Sequence, residues 1–191
     1  MQVGFCISWI RPKSFKSKEP TVGDKLILTK PLGTGVILAA NMRQRINPIE
    51  YKNTIETMLN SNLNAANIIR NENISAITDV TGFGLARHTL NLTKPFGAKL
   101  SIKDIPVLSG ALEHFSNNIN SSLAFSNKKA INFTSKISKQ DHIIFDPQTS
   151  GGLLVSVNKV KANQVLEKLK KSNHHASIIG EVIEKHEIIL N

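Results

Sequence analysis

Two short segments of this chain each combine a carboxylate, hydroxyl side chains and a pair of glycines. Residues 78–84 read TDVTGFG, and residues 146–152 read DPQTSGG. Glycine-rich turns let backbone N–H groups approach a phosphate, because glycine adopts conformations that other residues avoid. A carboxylate in the same turn can hold a divalent cation to which the phosphate also binds. These two segments are therefore the candidates for chemistry.

The first segment predicts a metal ligand where a strand gives way to a helix. Asp79 follows a short strand predicted over residues 75–78, and residues 85–92 continue with the apolar spacing of a helix. His88 falls on the apolar face of that helix, so a core histidine is favoured over a catalytic one. Asp79 is the predicted metal ligand, and Mg²⁺ is the predicted ion.

The same turn predicts a place for a phosphate. N–H groups at the start of a helix and the helix dipole both favour an anion, so Thr81, Gly82 and Gly84 are the predicted phosphate-binding residues. A cation on Asp79 would let the carboxylate and the phosphate share the turn. The alternative interpretation is that Asp79 caps the helix and that the glycines only shape the turn.

The second segment favours an architectural role. Asp146 precedes a proline, which pushes its backbone into an extended conformation. The segment then connects two predicted strands, at residues 142–145 and 153–157. Its hydroxyls and accessible backbone could also bind a ligand, but a connection between buried strands is the favoured interpretation.

The remaining patterns predict an α+β protein, an α/β sandwich with a mixed sheet. Strands and helices alternate, but not in strict strand–helix–strand order. Further strands are predicted at residues 3–10, 24–29, 98–103, 176–179 and 182–190. Helices are predicted at residues 36–42, from Asn47-Pro48 onward, at residues 63–70, after Asp104 and after Asn158. Residues 116–140 are predicted to be a long loop that carries short elements.

The composition is that of a soluble globular protein with an anionic partner. The chain has 191 residues, 40% of them apolar, and a formal net charge of +10. No apolar run approaches the roughly 20 residues that span a bilayer, and the N-terminus does not resemble a signal peptide. Cys6 is the only cysteine, which fits a cytoplasmic protein without an intrachain disulfide. The lysines are dispersed, so nucleic-acid binding is not favoured.

Together, the two segments resemble selenophosphate synthetase (selenide, water dikinase), within the aminoimidazole ribonucleotide synthetase-like superfamily. The matching blocks are residues 78–85 and 145–154, supported in the expected order by residues 23–35 and 179–182. The phenylalanine between the glycines and the complete DPQTSGG string favour this family over thiamine-monophosphate kinase and the hydrogenase maturation dehydratase.

The resemblance implies a two-domain, homodimeric enzyme that converts ATP, selenide and water to selenophosphate, AMP and phosphate. It implies that residues 21–191 form the second domain, which caps the ATP cleft, and that residues 1–20 are a remnant strand and connector of the first. Asp79 corresponds to the magnesium-binding aspartate of that second domain. The first domain supplies the other magnesium ligands and most ATP contacts, so a separate N-terminal half is an expected partner.

The chain departs from the family pattern in two ways. It lacks the early Cys-Lys segment and the run of metal-binding aspartates, and Cys6 is interpreted as a buried thiol rather than as the nucleophile. Residues 86–88 read Ala-Arg-His where the family usually has Leu-Gly-His, so Arg87 places a bulky cation where the helix was expected to pack closely.

The leading hypothesis is therefore the C-terminal part of a selenide, water dikinase, which alone binds ATP weakly and turns over nothing. One alternative is a non-catalytic remnant or interaction module of the same fold. Another is a different ATP-dependent enzyme of the superfamily.

Overall fold

The computed structural model describes residues 19–131, 138–172 and 175–191. In these residues the strands are β1 (Lys25–Leu28), β2 (Ile74–Asp79), β3 (Gly97–Leu100), β4 (Leu153–Val157), β5 (Ser177–Ile183) and β6 (Ile188–Leu190). The helices are α1 (Thr34–Met42), α2 (Pro48–Leu59), α3 (Leu63–Arg70), α4 (Gly84–Thr93), α5 (Ala111–Ser116), α6 (Ser122–Lys129) and α7 (Ala162–Lys171). Two 3₁₀ helices lie at Ile102–Asp104 and Gln140–Phe145.

Within the described residues, all six strands belong to one sheet in the order β2-β4-β1-β5-β3-β6. Neighbours are antiparallel except β3 and β6, which are parallel, so the sheet is mixed as predicted. Because β1 and β2 both pair antiparallel with β4, they run in the same direction. Their carboxyl ends therefore meet at one edge of the sheet, where β4 begins.

Helices cover both faces of the sheet, so a hydrophobic core lies on each face. Leu26 and Leu28 of β1 pack into the larger core with α1, α4 and α5, whereas Ile27 packs into the smaller core with α3 and α7. Successive side chains of a strand point to opposite faces, so a fully apolar strand needs a layer on each side. This arrangement confirms the α/β sandwich.

Local sequence explains several helix boundaries. Proline at the first position of α2 sacrifices no hydrogen bond, and the Asn47 side chain accepts one from the N–H of Ile49 at 2.8 Å. The predicted strands at β1, β2 and β4 and the predicted helices at α2 and α3 are confirmed. The helix predicted at residues 36–42 is also confirmed, although it begins two residues earlier, at Thr34.

The predicted strand at residues 142–145 is wrong. This stretch belongs to the 3₁₀ helix Gln140–Phe145, and its three consecutive apolar side chains, Ile143, Ile144 and Phe145, are all buried in the larger core. A short, continuous apolar run fits either a buried strand or a buried helical turn. The sequence pattern could not decide between them.

The predicted helix after Asp104 begins later than expected. Residues 106–108 pair with Leu32 instead: the N–H of Leu32 donates to the carbonyl of Pro106, and the N–H of Leu108 donates to the carbonyl of Leu32. This pairing keeps the segment extended, and α5 begins only after Gly110 turns the chain with a φ of 80°. Asp104 lies in a 3₁₀ helix that follows β3, which stops at Leu100 rather than at residue 103.

The remaining boundary differences are small. Asn158 does not cap α7 directly: its side chain accepts from the N–H of Val160, and the helix begins at Ala162. The strands predicted at residues 176–179 and 182–190 are instead continuous β5 and short β6. The region predicted as a long loop contains α6. The strand predicted for residues 3–10 and Cys6 lie outside the described residues.

No helix in the described parts of the chain has the length and apolar character to cross a membrane.

Candidate functional site

The fold brings the two glycine-rich segments together at the edge of the sheet where β2 ends and β4 begins. Asp79 lies opposite Leu153 in the antiparallel register. The N–H of Val80 donates to the carbonyl of Gly152 at 2.9 Å, and the N–H of Gln148 donates to the carbonyl of Thr81 at 3.1 Å. Two segments that are far apart in the sequence therefore form one hydrogen-bonded unit.

Glycine allows this close approach. A Cβ on Gly151 would lie 2.1 Å from the carbonyl oxygen of Val80, and a Cβ on Gly84 would lie 2.8 Å from the carbonyl carbon of Phe145. Gly84 also has a φ of 74°, which residues with side chains rarely adopt. These two glycines therefore hold the segments in contact.

Asn127 of α6 joins the first segment to the residue that precedes the second. Its side-chain amide donates to the carbonyl of Gly82 at 2.8 Å and to the carbonyl of Phe145 at 3.0 Å. Sequence reasoning missed this residue, because it lies in a polar stretch without a distinctive pattern. A single asparagine in an irregular region carries no signal of a contact made across the fold.

The second segment closes the N-terminus of α1. The side-chain oxygen of Gln148 accepts from the N–H of Gly33 at 3.0 Å and from the N–H of Thr34 at 3.3 Å. It also accepts from the hydroxyl of Thr34, and that hydroxyl oxygen accepts from the N–H of Thr149 at 2.8 Å. The first N–H groups of a helix have no partner within the helix, so Gln148 supplies a cap from a distant part of the chain.

Asp146 completes this cap. Its Oδ2 accepts from the N–H of Gly35 at 3.1 Å, from the N–H of Val36 at 3.3 Å and from the side-chain amide of Gln148 at 2.9 Å. Burial nevertheless raises the pKa of Asp146 to about 7, although these hydrogen bonds act in the opposite direction. The favoured architectural interpretation of this segment agrees with its contacts.

The first segment, in contrast, is open. Asp79 is exposed, and its carboxylate makes no hydrogen bond or ion pair with another described residue. Nothing lies within 4 Å of the position that a Cβ on Gly82 would take. The alternative in which Asp79 caps α4 is therefore not what the structure shows. A free carboxylate oxygen is a ligand that Mg²⁺ accepts.

His88 faces this open turn rather than the core that the sequence pattern favoured. It is half-buried, and its Nε2 accepts from the N–H of Thr81 at 3.1 Å. The hydroxyl of Thr81 lies at the same distance from Nε2. Burial lowers the pKa of His88, and the charge of Asp79 partly opposes this. The hydrogen bond from the N–H of Thr81 needs a lone pair on Nε2, which favours the tautomer with the proton on Nδ1.

Lys30 is a second residue that sequence reasoning did not single out. It directly follows the strand predicted at residues 24–29. Only 3% of it is exposed, and its ammonium donates to the carbonyl of Ser150 at 2.9 Å. Burial lowers the pKa of the Lys30 ammonium. The side chain of Lys30 lines a cleft of about 520 Å³ next to α2. Through its hydrogen bond to Ser150 it also anchors the second segment to the residue that follows Thr29. Lys30 lies within the family-like block at residues 23–35, and this position could have drawn attention to it from the sequence.

Arg87 does not crowd the packing of α4, contrary to the expectation from its replacement of a glycine. It is exposed, and its guanidinium donates to the carbonyl of Ala130 at 3.1 Å.

In the described parts of the chain, no group of three or more His, Cys, Asp or Glu side chains converges on a point that could hold a metal ion. Asp79 therefore stands as one carboxylate beside an open turn.

The mixed sheet and both glycine-rich segments lie within the part of the chain that matches a known domain family. The chain belongs to the family described as AIR synthase related protein, C-terminal domain, whose model matches residues 21–191.

Curated relatives confirm the resemblance to selenide, water dikinase. The enzyme of that name from Campylobacter jejuni is 34% identical over 181 residues, which cover 93% of this chain and 53% of that protein. The Caldanaerobacter subterraneus enzyme is 38% identical and is matched over 92% of this chain and 53% of its own length. The chain spans about half the length of the curated relatives it matches.

Solved structures share the fold at low sequence identity. Escherichia coli HypE, a hydrogenase maturation protein, superposes with a TM-score of 0.60 at 19% identity, over 92% of this chain and 48% of that one. Thiamine-monophosphate kinase from Aquifex aeolicus gives a TM-score of 0.62 at 13% identity, over 92% of this chain and 52% of that one. A HypE protein in complex with ATP gives a TM-score of 0.58 at 14% identity, over 92% and 49%.

Proposed function

We propose that this chain is the C-terminal part of a selenide, water dikinase and that it works together with an N-terminal half like the one its relatives contain. In this proposal, residues 21–191 cap the ATP cleft and residues 1–20 are a remnant of the other domain. The complete enzyme would make selenophosphate, AMP and phosphate from ATP, selenide and water. The observation that carries the proposal is the open turn, in which an exposed carboxylate lies beside the start of α4.

Asp79 is proposed to hold Mg²⁺ through its carboxylate oxygens, which no described residue engages. Magnesium prefers six oxygen ligands and commonly takes only one or two carboxylates from a protein, with phosphate oxygens and water completing its shell. Bound Mg²⁺ would neutralise the negative charge of the ATP phosphates. Further carboxylates are proposed to come from the N-terminal half.

The turn formed by Thr81, Gly82 and Gly84 is proposed to bind the phosphates, chiefly through the backbone at Gly82, since the N–H of Thr81 donates to His88 and the N–H of Gly84 donates to the carbonyl of Thr81. Gly82 leaves open space that a phosphate could enter, and the partial positive charge at the start of α4 favours an anion. His88 accepts from the N–H of Thr81 and so fixes the position of the turn rather than touching the phosphate. Phosphoryl transfer depends mainly on positioning and charge neutralisation, and these residues contribute to both.

The proposal is tested by supplying the half of a relative that this chain does not match. The chain is co-expressed with the part of the C. jejuni enzyme that it does not match, and selenide-dependent AMP formation is measured. The isolated chain should form no AMP, and the pair should form it. Substitution D79N should lower the rate of the pair at least 100-fold, whereas D104N, which alters an exposed carboxylate elsewhere, should not.

Selenide-dependent AMP release by the isolated chain would contradict the proposal, as would full activity of the D79N pair. A pair that assembles but forms no AMP would favour a non-catalytic interaction module instead. The sequence of the DNA upstream of Met1 provides an independent check, because a reading frame for the N-terminal half should lie there.

The proposal includes a homodimer and a cytoplasmic location, as the family resemblance and the single cysteine suggest. Light scattering of the assembled pair measures the oligomeric state, and cell fractionation measures the location.

The net charge of +10 is proposed to attract anionic partners other than nucleic acid. Strongly salt-dependent affinity for DNA or RNA would contradict that last point.

A further inference from the structure

Lys30 is a buried cation without a negative partner in the described parts of the chain. Its side chain is 3% exposed, and no described Asp or Glu forms an ion pair with its ammonium. Burial lowers the pKa of this ammonium, and no carboxylate opposes the effect. Burying a charge is costly unless an opposite charge or several hydrogen bonds compensate it. The fold therefore leaves part of this cost uncompensated.

The ammonium of Lys30 also has unused hydrogen-bonding capacity. It can donate three hydrogen bonds. The carbonyl of Ser150 accepts one at 2.9 Å, and no other described residue accepts from this group. A neutral donor could make a single bond to a carbonyl with a smaller desolvation cost. The contact with Ser150 alone thus gives no reason for a charged side chain at this position.

The cleft that Lys30 lines has the size and the polar groups of a small-molecule site. Its volume of about 520 Å³ lies within the range of about 300–1,000 Å³ that is typical of such sites. Asn53 in α2, Asn60 at the end of α2 and Ser109 line the same cleft. Their side chains are exposed and make no hydrogen bond to a described residue. Their amide and hydroxyl groups can therefore bind oxygen atoms of a ligand.

Negative charge is scarce around this cleft. Glu56 is the only carboxylate among the described lining residues, and its Oε1 lies 3.8 Å from a lysine ammonium on the same helix. A second cleft, of about 610 Å³, shares Pro106 with the first. It is lined by Lys103 and Lys170 and by a single described carboxylate, that of Asp104. The surroundings therefore favour an anion over a cation.

The cleft is separate from the open turn. Lys30 follows β1, the open turn follows β2, and β4 lies between these two strands in the sheet. The second segment contacts both sides: the carbonyl of Ser150 accepts from Lys30, and the carbonyl of Gly152 accepts from the N–H of Val80. No residue of the open turn is among the described residues that line the cleft. A ligand in the cleft is therefore not the phosphate proposed for the open turn.

We propose that this cleft is a second anion-binding site, which takes the phosphate ester of a small hydroxyl-bearing molecule with its phosphate on Lys30. Lysine binds phosphate as a point charge. The neutral amide and hydroxyl groups of the lining suit the remainder of such a molecule, because a few polar groups fix the orientation of a ligand in a pocket. The site goes beyond the proposed function, since it uses neither Asp79 nor a second half.

The experiment titrates the complete chain with ribose 5-phosphate and, separately, with inorganic phosphate and with ribose. EDTA is present and Mg²⁺ is absent. Amide NMR gives the dissociation constant and identifies the residues affected. Ribose 5-phosphate should shift the signals of residues 29–30 and 53–60 and leave those of residues 78–84 in place. Ribose should bind at least about tenfold more weakly, because only the phosphate accepts a charge-assisted hydrogen bond from the ammonium.

Substitution of the cation is the first test of the site. K30M should weaken the binding of ribose 5-phosphate at least about tenfold, because methionine provides neither the charge nor the donors. Methionine is unbranched and adapts to irregular spaces, so the fold is expected to accept it. Circular dichroism and thermal unfolding of K30M check this expectation.

Two charge changes on the rim test the site without altering a buried residue. N53D adds a carboxylate to the lining and should weaken binding several-fold, whereas E56Q removes one and should strengthen binding. N67D is the matched control, because it makes the same change on an exposed residue of α3 that does not line the cleft. These three side chains are in water, so thermal unfolding should be unchanged. The rim variants decide the question even if K30M does not fold.

The remaining outcomes each overturn the inference. Absence of ribose 5-phosphate binding does so, as does binding that K30M, N53D and E56Q all leave unchanged. Inorganic phosphate that binds as tightly as ribose 5-phosphate overturns the assignment to an ester. Shifts confined to residues 78–84 would place the phosphate at the open turn instead. None of these results affects the selenide-dependent assay, so the inference and the proposed function can fail independently.

Discussion

The two glycine-rich segments have similar compositions but opposite environments. Residues 146–152 are closed: Asp146 is buried, and its Oδ2 and the side chain of Gln148 are occupied by the N–H groups of α1. Residues 78–84 are open: Asp79 is exposed, and Gly82 borders empty space. The same residue types therefore serve as an internal helix cap in one segment and as a candidate ligand site in the other. The first predictions below compare the closed segment with the open one, and the last concerns the open segment alone.

The largest expected difference concerns pH. The pKa of Asp146 rises from an ordinary 3.8 to about 7 on folding, so between these values the folded chain keeps a proton that the unfolded chain has released. Its contribution to the free energy of unfolding therefore falls as pH rises from about 4 to about 7, by at most about 4 kcal/mol. Substitution D146N should remove this decline.

Urea unfolding of wild type and D146N at pH 4.5, 6.0 and 7.5 measures this effect as the difference between the two proteins. Glu181, whose pKa is lowered by hydrogen bonding to Lys25, acts in the opposite direction but is common to both. Parallel curves for wild type and D146N would show that burial of Asp146 has no such cost.

Glycine substitutions come next in size. In G151A the new Cβ would meet the carbonyl oxygen of Val80, so the two segments must separate, at a cost of about 3 kcal/mol. In G82A the Cβ enters open space, and the free energy of unfolding should change by less than about 0.5 kcal/mol. Chemical denaturation measures both. Equal losses would mean that the first segment is as tightly packed as the second.

The side chains of the two segments should differ by a smaller amount. Substitution Q148A leaves the N–H groups of Gly33 and Thr34 buried without an acceptor and should lower the free energy of unfolding by about 2 kcal/mol. Substitution D79A removes an exposed carboxylate without a protein partner and should change it by less than about 0.5 kcal/mol. A destabilised D79A would show that Asp79 has a structural role. Thermal unfolding at one pH is sufficient for this comparison.

The smallest effect is local to the open segment. Because the charge of Asp79 raises the pKa of His88 against the effect of burial, D79N should lower that pKa further. An NMR titration of the ring protons follows it directly. Substitution D104N, which alters an exposed carboxylate in the 3₁₀ helix after β3, should leave the titration of His88 unchanged. An unchanged pKa in D79N would place Asp79 too far from His88 to share a site.

Much of the local structure could be predicted from the sequence. The Asn47-Pro48 start of α2, the apolar run of β4 and the glycines before α4 each depend on residues close together in the chain. Residues 143–145 were predicted wrongly because three consecutive apolar residues suit any fully buried element, and only the surrounding core selects a 3₁₀ helix.

The candidate site was predictable in part. Asp79 and the two glycines were identified from the motif, whereas Asn127 and Lys30 act through contacts with residues far away in the sequence. His88 was assigned to the core because its spacing matches the apolar face of α4. Helical periodicity shows on which face of a helix a residue lies. It does not show whether that part of the face contacts the core or a neighbouring turn.

The sequence by itself determined which family this chain resembles and which carboxylates could do chemistry, because motifs and turn glycines are local properties. Only the tertiary structure decided which carboxylate is available. The side chain of Asp146 is buried against the start of α1, where it accepts hydrogen bonds from two N–H groups. Asp79 remains exposed where β2 ends. Burial and hydrogen-bond partners are set by residues distant in the chain, so no local pattern can specify them.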